Sequence, residues 1–101
     1  MTGYLDEGAR LIVEKNIDAV IQTPKKAEAT FRTSLILQGI QPNLETILSM
    51  ITGFLEGLVN SYYVHRHNRP MTDDEQNDFN TLLSRRAFEM RQAILSTRIE
   101  E

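Results

Sequence analysis

Between Leu44 and Val64 only Glu45 and Glu56 carry charge, and no proline falls in the run. Leu44, Ile47, Leu48, Met50, Ile51, Phe54, Leu55, Leu58, Val59 and Tyr62 recur at three- and four-residue steps, covering about half of a helical circumference. A helix with so little polar face needs neighbours on most sides, so the chain must build a bundle around it. Beside this arc stand Ser49, Gly53, Gly57 and Ser61 in steps of four. Glycine inside a helix costs about 1 kcal/mol relative to alanine, so the row implies a close approach. The approach is either a tight helix crossing within the monomer or a two-fold crossing between copies. The run is long enough to span a membrane, but Glu45 and Glu56 would each cost about 2–3 kcal/mol in hydrocarbon, and a membrane span is set aside.

Breaks flank this segment at Gly39-Ile40-Gln41-Pro42 and at Asn68-Arg69-Pro70-Met71-Thr72, and a third falls at Thr23-Pro24. They leave four stretches long enough for helices, and none shows the alternation of a strand. In the first, Leu5, Ala9, Ile12, Val13, Ile17 and Val20 form one apolar face. Pro24 suits the first position of the second helix, with Thr23 as its cap, and Gly39 ends it in the left-handed conformation. The fourth helix begins with a capping box, Thr72-Asp73-Asp74-Glu75. Its main stripe is Phe79, Leu82, Leu83, Met90, Ala93 and Ile94. A second stripe, Phe88, Leu95 and Ile99, lies nearly opposite. The expected fold is all-α: a four-helix antiparallel bundle with helices near 4–22, 24–38, 43–66 and 73–99. The third helix is expected to be its buried centre, within a single domain over 1–101.

The chain has no cysteine, which removes disulfides, thiolate metal sites and thiol nucleophiles. Eleven basic against fourteen acidic residues give a net charge of −3, without the basic stripe of a nucleic-acid binder. The first residues carry Asp6 and Glu7 where a signal peptide carries positive charge, so a cytoplasmic location is expected. No phosphate loop, dinucleotide fingerprint or nucleophile motif appears, and no cofactor is expected.

Two features could hold an anion. Arg86 falls within the main apolar stripe of the fourth helix and must be paired or reach the bundle edge, with Glu56 or Glu45 as expected partners. A small-ligand site around Arg86 and Glu56 is the functional version of that reading. The second feature is the basic corner His65, Arg66, His67 and Arg69 at the end of the third helix, where cations complement the helix dipole. A small nucleic-acid-associated regulator would use this corner, beside Tyr62 and Tyr63. As a metal site it is poor, since residues two apart do not share a helix face.

The stretch from Ser61-Tyr62-Tyr63 through Thr72, with Gln76 to Leu82, resembles the small four-helix immunity proteins of bacteriocin producers. The resemblance covers about a third of the chain and implies an immunity-like four-helix protein as an alternative, although their lysine-rich character is missing. The leading expectation is a non-enzymatic protein–protein interaction or assembly module acting through the fourth helix. Phe88, Leu95 and Ile99 would form its interface, with the Ser49, Gly53, Gly57 and Ser61 row as a further contact, in a homodimer or against a protein partner.

Overall fold

The computed structural model describes residues 4–99, with side chains through Thr97, and over that range the chain forms four α-helices and no strand. They are α1 (Glu7–Gln22), α2 (Pro24–Leu37), α3 (Leu44–His67) and α4 (Asp73–Ile99). Each touches the other three, giving the expected all-α four-helix bundle.

Local chemistry sets the helix ends. Asp6 caps α1 by accepting from the Ala9 amide at 2.8 Å, so the helix starts after Leu5, which is nonetheless buried. Gly39 ends α2 at φ 76°. Its amide donates to the Ile36 carbonyl and that of Ile40 to the Leu35 carbonyl, the paired bonds of a Schellman motif. Asn43 and Thr46 exchange bonds at the start of α3, which stops at Asn68 in the left-handed region. The Thr72–Glu75 box forms as expected: the Glu75 amide donates to Thr72 Oγ1 and the Thr72 amide to Glu75 Oε1. Thr23 departs from expectation. Its hydroxyl donates to the Ala19 carbonyl at 2.7 Å and leaves α2 without a side-chain cap. One residue therefore joins α1 to α2.

The core is built from rows at four-residue spacing. Ile47, Ile51, Leu55, Val59 and Tyr63 of α3 meet Ala9, Val13 and Ile17 of α1 and Phe79, Leu82, Met90 and Ile94 of α4. Burying each large side chain is worth about 1.5–3 kcal/mol, so these rows dominate stability. Cross-helix bonds fix the directions. Leu5 and Arg10 reach Asp78 while Glu14 and Asp18 reach Arg86, so α1 and α4 run in the same sense, not antiparallel as expected of this pair. Asn60 receives the Met71 amide, Glu56 meets Gln76 and Glu45 meets Arg91, so α3 runs against α4. The α2 helix contributes less to the core, with Leu35 as its buried apolar side chain.

Although α3 supplies the central row, its neighbours do not enclose it. Ser49, Gly53, Gly57 and Ser61 are all exposed, beside half-exposed Phe54 and Val64. A Cβ at Gly53 or Gly57 would meet nothing within 4 Å. The tight crossing within the monomer, one of the two readings of this row, is absent: no other helix comes within van der Waals reach of Gly53 or Gly57. The glycine that does permit close approach is Gly8. A Cβ there would stand 2.2 Å from the Tyr62 hydroxyl oxygen.

Candidate functional site

Because α1 and α2 diverge from the single residue Thr23, they leave a trough above α3. Asn16, Ala19 and Val20 line it from α1; Ala27, Thr30, Phe31 and Ser34 from α2; and Met50, Gly53 and Phe54 from α3. Its volume is about 780 Å³, within the usual span for binding clefts. Small side chains at Ala19, Ala27 and Gly53 keep it open. The Phe31 and Phe54 rings meet edge to face at 5.8 Å, and Phe54 stays 48% exposed.

Two polar groups of the lining are turned back on α1. The Asn16 amide donates to the Ile12 carbonyl and Thr23 to the Ala19 carbonyl. Lys26 is the one charged residue of the lining. The cleft therefore offers apolar area with a cation at one end, and no described acid–base pair.

Arg86 lies on the other side of the bundle. It donates to Glu14 at 2.6 Å, Asp18 at 2.8 Å and Glu89 at 2.9 Å. The bonds to Asp18, Glu89 and Glu14 push its guanidinium still further above the usual arginine value. The expected partners are different: Glu56 accepts from Gln76 and Glu45 pairs with Arg91. This corrects the Arg86–Glu56 pairing, because α4 lies alongside α1 in parallel and presents Arg86 to the acids of α1. The structure does not bring Arg86 and Glu56 together.

The basic corner is likewise engaged within the fold. His65 Nδ1 lies 2.9 Å from the Ser61 carbonyl, and His67 Nε2 lies 2.9 Å from Asp6 Oδ2. Arg69 donates to both oxygens of Glu75 and sits over the Tyr63 ring, while Arg66 is exposed. Burial alone would raise the Asp6 carboxyl. The bonds from His67, the Ala9 amide and Tyr62 outweigh it and hold the carboxyl below its ordinary value. Arg69 does the same for Glu75, against the pull of burial and with help from Thr72.

Of the second stripe of α4, Phe88 is 71% exposed and Leu95 half-buried, while the Ile99 side chain lies outside the described residues. Among the described residues no group of three histidine or acidic side chains could hold a metal ion. Among the same residues no helix is long and apolar enough to cross a membrane. Sequence reasoning flagged Gly53 but missed the cleft, whose other walls, Ala19, Ala27 and Phe31, carry no signal beyond their apolar character. No family model matches the chain, and comparison with curated proteins and with solved structures finds no match either.

Proposed function

We propose that this chain is a non-enzymatic protein–protein interaction module whose principal contact surface is the cleft between α1, α2 and α3. The observation that carries the reading is the cleft itself: apolar walls, a wet aromatic at Phe54, and Asn16 and Thr23 side chains that bond back to α1. Exposed apolar surface rimmed by polar residues is the usual mark of a contact site. Phe88 on α4 gives the module a second contact point, suited to assembly of copies as a homodimer.

The test places a photo-crosslinking amino acid at position 19, in the cleft wall, or at position 7, exposed at the start of α1. Irradiation in the source cells should give a discrete protein adduct from position 19. It should be missing from position 7 and lost when Gly53→Trp fills the cleft. No adduct, or the same adducts from both positions, would overturn the reading. For the Phe88 contact, sedimentation should show a concentration-dependent dimer that Phe88→Asp abolishes; a strictly monomeric wild type removes that part.

A further inference from the structure

We infer that the cleft is built for one kind of partner: an amphipathic helix of about three turns whose flanks are acidic. The inference rests on the cleft being the contact surface and concerns what fills it. It starts from how the charges are partitioned. The chain is net negative, yet no acid lines the cleft. Four acids of α1 and α3 face α4 instead: Glu14 and Asp18 hold Arg86, Glu45 holds Arg91 and Glu56 accepts from Gln76. Cations are left on the cleft side. Lys26 lines one end, and exposed Lys15 stands one turn before Ala19 on the same face of α1. The same end holds the start of α2, whose positive dipole has no side-chain cap. A negatively charged occupant therefore meets attraction at that end without an acid in the lining to repel it.

Shape selects a helix. The trough opens along one side, and its lining on the α2 side runs from Thr23 through Ala27, Thr30 and Phe31 to Ser34. From Thr23 to Ser34 this wall is roughly 16 Å long at the helical rise, about three turns. An acyl chain needs a site that closes around most of its surface, whereas a helix lays one apolar face into an open groove and keeps its polar face wet. The flat, side-chain-free surface at Gly53, where a Cβ would touch nothing, leaves room for large anchors beside Phe54.

The experiment uses the full chain and two synthetic helix-forming peptides of about 18 residues. Both carry leucine at i, i+3, i+4 and i+7; one has glutamate at its polar positions and its twin has lysine. Amide NMR shifts should map the acidic peptide to the cleft, and anisotropy should give it an affinity at least about tenfold above its twin. Lys15→Glu combined with Lys26→Glu should reverse the order, and Gly53→Trp should abolish both, with circular dichroism confirming the fold of each variant. Equal affinities, shifts outside the cleft, or dodecanoate binding there more tightly than the peptide would overturn the proposal. Self-association that Gly53→Trp abolishes would overturn it too, by making a second copy the occupant. Failure of the peptides while the position-19 adduct persists sinks this inference alone; loss of the adduct sinks the contact surface beneath it.

Discussion

The two sides of α3 differ in how their side chains are used. On the α1–α4 side, charged groups are matched: Arg86 holds three carboxylates, Arg69 is forked onto Glu75, and Asp78 receives Leu5 and Arg10. On the cleft side, aromatic area is wet and the glycines face open space. The first arrangement specifies one packing of this chain. The second leaves stability unused, which a free-standing bundle would recover by filling the gap.

The contrast should appear most strongly in paired truncations. Phe79, buried against the core, should lose about 3–5 kcal/mol on Phe79→Ala, while half-exposed Phe54→Ala should cost well under half as much; urea denaturation of both checks this. Equal losses would mean that the cleft is as tightly packed as the core.

Acid titration probes the matched side next. Asp6 and Glu75 have folded values below their ordinary ones, so the stability they contribute is complete above roughly pH 4.5 and lost as pH falls through those lowered values. Denaturant midpoints should stay level from about pH 7 to 5 and then drop. Glu75→Gln should lower the neutral plateau and flatten the acid limb.

Alanine at the glycines has opposite signs on the two sides. Gly8→Ala should lower Tm by driving a methyl into the Tyr62 ring, and adding Tyr62→Ala should leave little further loss. Gly57→Ala should raise stability by about 1 kcal/mol, since its Cβ meets nothing. Smallest of all, Phe88→Asp should leave the unfolding free energy within about 0.5 kcal/mol, as befits an exposed site.

What could be read in advance follows from the range of each interaction. The Thr72–Glu75 box and the Gly39 stop involve a few consecutive residues, so their chemistry is written locally and both form as expected. The buried α3 row is legible because its period is that of the helix itself. The partner of Arg86 is not, since choosing Glu14 and Asp18 over Glu56 requires knowing that α4 lies parallel to α1. Gly53 stands out as a costly residue, but whether it faces a helix or solvent depends on where α2 goes, which no run of residues near Gly53 encodes.

That path depends on Thr23. With one residue between the two helices, the opening of the trough is a lever-arm quantity. A change of about 10° at Thr23 swings the far end of a helix roughly 21 Å long by about 4 Å. The Thr23 hydroxyl, committed to the Ala19 carbonyl, serves as the set-screw of that lever. Thr23→Val, which keeps the shape and removes the bond, would retune the aperture without touching any lining contact deeper in the groove.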